Sequence, residues 1–259
     1  MNNGHWLWKA IGAIGLIMTL GISMDVQAAF FGFGGDSWKE EVLLHDGQKI
    51  IVKRSQTYGG RHEIGQGGPI SGQELSYKLP YTNKTITFKD EYSEDIGGRN
   101  FVLLALHVLN GTPYIVTETV GCLANNKWGR PSPPYVFFKY DGKAWQRITV
   151  TEFPAEFTTI NLVVETKGDV KAITTQSVVT AEMVKKLNSK LSPSDQTFNR
   201  NAVRYEGPGA CGEMIYDGKG GWHGTGLFGE TNDTCIQYCV REKFTPQYCP
   251  CETLFKGKK

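Results

Sequence analysis

The stretch from Phe101 to Val150 constrains the fold more than any other. It opens with an unbroken apolar run, Phe101-Val102-Leu103-Leu104-Ala105-Leu106, long enough for a strand buried on both faces. Tyr114 to Val120 follows, rich in β-branched and aromatic residues. Tyr135 to Tyr140 and Trp145 to Val150 then flank Asp141-Gly142, and Asp-Gly between alternating segments signals a hairpin. The block predicts the core of a mainly β, antiparallel domain. A β-sandwich, a barrel and a propeller-like arrangement all accommodate it.

The rest of the chain extends this pattern. Trp38 to Leu44 and Gln48 to Arg54 read as strands around His45-Asp46-Gly47. Leu75, Tyr77 and Leu79 alternate with polar residues, as do Ile86 and Phe88, which suits strands with one dry face. Lys89 to Asp95 is acidic and reads as a turn or an exposed strand end. Asn161 to Thr166 and Val170 to Thr175 alternate around Lys167-Gly168-Asp169, a third expected hairpin. One clear helix is predicted, Ala181 to Leu191, capped by Thr180, with Met183, Val184, Leu187 and Leu191 on one face.

The N-terminus carries an address. Lys9 precedes the apolar run Ala10 to Ile22, and Val26-Gln27-Ala28 places small residues at the −3 and −1 positions of a cleavage site. These features predict a secretory signal peptide over residues 1–28, leaving no transmembrane anchor. The expected organisation continues with a lead-in over 29–37, a β-rich domain over 38–192, a linker over 193–210 and a tail over 211–259. The reading places the protein in the periplasm or outside the cell. A formal net charge of +2 gives no reason to expect nucleic acid.

Export makes disulfides the default for the six cysteines. Five fall between Cys211 and Cys251, in a glycine-rich region poor in aliphatic residues, which needs covalent staples. Cys235 and Cys239 sit four apart in a segment able to form a short helix capped by Asn232 or Asp233. Their sulfurs would lie on one face, roughly 6 Å apart along the axis. An extended Cys249-Pro250-Cys251 would present two sulfurs about 6.6 Å apart. Two bonds can therefore rivet helix to strand. The short separation favours nested pairs, Cys235–Cys251 and Cys239–Cys249, with the crossed pairing as the alternative. Cys122 and Cys211 remain to tie the tail to the core. A zinc site from the four tail cysteines is the competing reading; no metal or cofactor is expected.

Polar constellations are sparse. Arg61-His62-Glu63 lies in the glycine-rich loop Tyr58 to Gly72, and His62 beside Glu63 could serve as a general base. No nucleophile is tied to it, and no Gly-x-Ser-x-Gly, His-Glu-x-x-His or phosphate loop occurs. Trp128, Arg130 and Tyr135 are set among the prolines of Asn125 to Tyr135, a rigid aromatic and cationic surface suited to a partner; with Arg61 they are the expected binding residues. The competing reading has Trp128 plug the end of the β core. His223, in a flexible glycine run, reads as exposed.

Three quoted segments, Trp38 to Gly47, Gly59 to Gln66 and Lys127 to Pro131, together resemble an uncharacterised family of exported proteins from Gram-negative bacteria, over about Trp38 to Leu191. That resemblance implies periplasmic residence and no reaction. Cys235 to Cys251 resembles the cystine-stabilised helix of small secreted toxins and defensins, which implies a scaffold. The functional expectation is a non-catalytic binding module for a protein or carbohydrate of the cell envelope, using loops Tyr58–Gly72 and Asn125–Tyr135. The alternatives are an envelope-polymer hydrolase using His62 and Glu63, and a secreted inhibitor or toxin-like effector acting through the tail.

Overall fold

The computed structural model describes residues 35–60, 68–164, 170–191 and 197–256. The predicted signal peptide, and Arg61, His62 and Glu63, lie outside the described residues. The fold is mainly β. Strands β1 (Gly35–Leu43), β2 (Lys49–Tyr58), β3 (Ile70–Lys78) and β4 (Thr85–Asp90) form one antiparallel meander. Strands β5 (Phe101–Leu109), β6 (Thr112–Thr119), β7 (Val136–Tyr140) and β8 (Trp145–Ile148) form a second, with helix α1 (Gly121–Lys127) between β6 and β7. Both Asp-Gly hairpins are present. At the second, Asp141 Oδ1 accepts from the amides of Lys143 and Ala144.

The two sheets share one core, so the arrangement is a sandwich rather than a closed barrel. Val42, Val52, Leu75 and Phe88 of the first sheet pack with Phe101, Leu106, Ile115 and Phe138 of the second. Strand β5 is buried on both faces. A register shift between Leu103 and Ala105 changes the parity, so that Phe101 and Leu103 before it, and Leu106 and Val108 after it, face the shared core. Leu104 and Ala105 face the opposite side, under Phe153, Phe157 and Phe198. Asn161 finishes the exposed side of this strand: its amide bonds both N–H and C=O of Leu106 and reaches Leu43 O of the first sheet. A buried amide thus substitutes for a missing neighbour strand.

The third expected hairpin is corrected. Val170–Thr174 is helix α2, with Ile173 buried against Trp38, Val179 and Val184. A five-residue segment with apolar residues three apart fits a helix as well as a strand, and packing decides. Helix α3 (Ala181–Asn188) forms as expected, with Thr180 accepting from Met183 N, but stops short of Leu191. The stretch read as a linker is also corrected in part: Phe198 is buried, and Arg200 donates to the carbonyls of Val150, Phe153 and Pro154. One aromatic and one guanidinium suffice to dock it, which a polar composition conceals.

After the sandwich in the chain, β9 (Met214–Tyr216) and β10 (Trp222–Gly224) pair, and helix α4 (Asn232–Arg241) precedes a short helix, α5 (Cys251–Leu254). All six cysteines are paired: Cys122–Cys211, Cys235–Cys251 and Cys239–Cys249. The nested alternative is the one adopted. Two local expectations are corrected. The cap of α4 is Thr231, in reciprocal bonds with Thr234, and Cys251 opens a helix instead of ending an extended segment. The staples close around Phe228, Tyr238 and Phe244. His223 is half-buried there, its Nδ1 2.9 Å from the Tyr238 hydroxyl, because the glycine run folds back as β9 and β10. Among the described residues no helix is long and apolar enough to cross a membrane.

Candidate functional site

The inner face of the first sheet becomes polar toward one end. Asp36, Gln56, Gln73 and Asp90 stand in register across β1 to β4, on the parity that elsewhere carries Val42, Val52, Leu75 and Phe88. Asp90 is buried at 3% exposure. This corrects at one position the reading of Lys89 to Asp95 as a turn or an exposed strand end: the strand's alternation continues through Ile86, Phe88 and Asp90. Its carboxylate accepts from Asn100 N, Asn100 Nδ2, Phe101 N and Gln73 Nε2 at 2.8–3.1 Å. Four donors answer the desolvation of the carboxylate and pin the β4–β5 crossover.

That crossover shapes a cleft of about 400 Å³ between the sheet ends, lined by Phe88, Asp90, Glu91, Tyr92, Asn100, Trp128, Phe138 and Trp145 among others. Trp128 rests on Phe101 at 4.6 Å between ring centres and donates through Nε1 to Asn100 Oδ1 at 3.1 Å. Asn100 therefore links the indole to the Asp90 carboxylate. Arg147 lies over the Trp128 ring at 5.6 Å and donates to its carbonyl. Trp145 packs on Phe88 at 5.5 Å and donates to Thr87 O. Tyr92, 46% exposed, stands at the rim beside Glu91.

Beside the cleft, Asp95 accepts from Ser93 Oγ and from Lys127 Nζ at 2.9 Å. Burial opposes its ionisation, but these two donors outweigh burial and hold the carboxyl below its ordinary value. The Asp95 carbonyl also takes the indole N–H of Trp222 at 2.9 Å, so the tail abuts this corner of the sandwich.

Of the expected binding residues, Trp128, Arg130 and Tyr135 do not converge, and Arg61 lies outside the described residues. Trp128 lines the cleft and also plugs the core. Tyr135 packs on Phe137 and Phe198 and lines a separate hollow of about 410 Å³ with Pro131, Arg147, Ile148 and Glu152. Arg130 turns to the tail: it is 3.5 Å from Glu213 and donates to Cys211 O. Asn125 to Lys127 are helical, so the proline-stiffened loop starts at Trp128. The sequence reading missed Asn100, Tyr92 and Trp145, and weighed Asp90 only as part of an acidic turn; its signal as a buried group is a carboxylate on the apolar parity of its strand.

Comparison with known proteins finds no matching family model, no similar curated protein and no similar solved structure.

Proposed function

We propose that this chain is an exported, non-catalytic binding module of a Gram-negative cell envelope, taking a segment of envelope carbohydrate in the cleft between the sheet ends. The carrying observation is the cleft itself. Aromatic side chains from β4, the α1–β7 loop and β8 meet there with the amide of Asn100 and the carboxylate of Glu91. Sugar rings present C–H faces that stack on aromatic surface and hydroxyls that need donors and acceptors at its edge. A mostly apolar concavity with a few placed polar groups is what such a ligand requires. Three disulfides support residence in an oxidising compartment, and the predicted cleavage after Ala28 supplies the route.

The test is calorimetric titration of the purified protein with soluble oligosaccharide fragments of envelope polymers. Binding that Tyr92→Ala weakens about tenfold, equivalent to about 1.4 kcal/mol, supports the reading. No binding by any fragment, or binding indifferent to Tyr92→Ala, sinks it. Export is checked separately: mass analysis of the envelope-fraction protein should return an N-terminus at Ala29.

A further inference from the structure

The four tail sulfurs lie closer together than two disulfides require. Cys251 Sγ, bonded to Cys235, also lies 3.3 Å from Cys249 Sγ and 3.7 Å from Cys239 Sγ. Cys235, Cys239 and Cys251 all fall within 4.8 Å of one another. One sulfur thus touches the other three, and the group forms a single cluster instead of two separate bridges. Zinc bound to four thiolates has Zn–S bonds of about 2.3 Å, which sets S···S edges of roughly 3.8 Å in a tetrahedron. The two separations from Cys251, 3.3 and 3.7 Å, already approximate that edge.

We propose that when the tail is reduced, Cys235, Cys239, Cys249 and Cys251 bind one zinc ion, so that the same four sulfurs staple the tail by metal instead of by covalent bonds. Helix α4 delivers Cys235 and Cys239 one turn apart, and Cys249-Pro250-Cys251 returns beside them. The two bonded pairs must open for the four sulfurs to surround one ion. Three of the sulfurs belong to residues at most 5% exposed, walled by Phe228, Tyr238 and Phe244. Half-buried Cys249 leaves a way in for the ion. An apolar wall keeps water from competing for the metal.

The chemistry balances with a dithiol reductant. Each protein disulfide gains two electrons and two protons, and each dithiol leaves as its own disulfide. On binding Zn²⁺ the four thiols then release four protons to solvent, giving a tetrathiolate centre of net charge −2. Because a tail this poor in aliphatic residues needs a staple, the metal holds its fold wherever thiols stay reduced.

The full-length protein, reduced by a phosphine and freed of metal, is titrated with Co²⁺ and then Zn²⁺. The expected result is one Co²⁺ per chain with the charge-transfer absorption of a tetrahedral thiolate site, displaced by one Zn²⁺. The oxidised protein should give no such absorption. Cys122→Ser with Cys211→Ser should leave the site intact, whereas Cys251→Ser should weaken it by more than about 100-fold, beyond what losing an outer-shell partner costs. Zinc should also restore the far-ultraviolet helical signal lost on reduction. Absence of the tetrahedral spectrum, dependence on Cys122 or Cys211, or equal affinity in concentrated urea would each overturn the proposal, the last because an unstructured chelate needs no preformed cluster.

Discussion

His107 should make this protein lose stability between pH 6.5 and 4, a window set by one buried imidazole. The residue is 1% exposed on β5, stacked on Phe157 at 4.5 Å between ring centres and 15° between planes. Its Nε2 lies 3.3 Å from the Thr159 carbonyl, and its Nδ1 is buried with no partner. The neutral ring fits by donating from Nε2. Protonation would put a charge and an unanswered N–H into an apolar layer. Burial accordingly lowers its pKa from 6.5 to about 4; His45 adds to the effect, and the Thr159 carbonyl and Asp46 oppose it. Between those values the unfolded chain binds a proton that the folded chain refuses, so stability rises with pH there. It is complete above about 6.5 and falls as pH drops toward 4. At 1.36 kcal/mol per unit, the loss is on the order of 3 kcal/mol. Urea unfolding at half-unit steps from pH 7.5 to 4 measures it, and His107→Leu, which keeps an apolar contact with Phe157, should flatten the wild-type slope. The carboxylates held below their ordinary values, such as Asp95 and Asp217, begin to lose their contribution only below about pH 5, so the slope between pH 6.5 and 5 is the diagnostic part of the window. A wild-type profile level across it, or an identical slope in His107→Leu, would refute the assignment.

Two further perturbations test the architecture. Asp90→Ala strips the acceptor from four buried donors; at roughly 1–3 kcal/mol per stranded group, partly relieved by water, the expected loss is about 3–6 kcal/mol. Denaturant titration would show it, and a loss below about 1 kcal/mol would mean that the crossover is held by something else. Cys122→Ser with Cys211→Ser opens a loop of 89 residues' separation, for which chain entropy gives an upper value of about 4.6 kcal/mol. Asn126 still holds Gly212 and Met214, so about 2–4 kcal/mol is expected in the same assay. Helix α4, stapled independently, should keep its hydrogen-exchange protection.

Much of the sandwich was legible because it obeys local rules. The Asp-Gly turns, the period-two alternation of β1 to β4 and the doubly apolar run of β5 each declare themselves within ten residues. The short reversal between Cys239 and Cys249 favoured the nested disulfides and left the crossed pairing open, and one of the two sulfur spacings assumed an extended Cys249–Cys251 where Cys251 opens a helix. What stayed hidden depends on partners far along the chain. Glu40 and Arg54 look like ordinary strand charges, yet their side chains are 0% and 3% exposed. They are tolerated inside because Arg54 donates to Glu40 and to Val163 O, while Glu40 also accepts from Trp38 Nε1 at 2.6 Å. A buried ion pair survives only when its remaining donors and acceptors are met. Here Val163, more than a hundred residues away, helps to meet them.

The same reasoning explains why the cleft was half-seen. Trp128 advertised itself among prolines, but Phe88, Tyr92, Asn100 and Trp145 become its neighbours only once β4 and β8 are brought edge to edge. The Trp145 indole on Thr87 O and Lys84 Nζ on Gly142 O, at 2.8 and 2.6 Å, mark where that happens. The polar row from Asp36 to Asp90 ends at this cleft because the sheets cannot close there: a carboxylate that must be answered by the backbone of Asn100 and Phe101 turns the chain across the sandwich instead of filling its end with apolar side chains. An opening lined by aromatics is therefore a consequence of how one buried acid is satisfied. Replacing Asp90 should disturb Trp128 and the cleft together with stability, through the Asn100 amide that joins them.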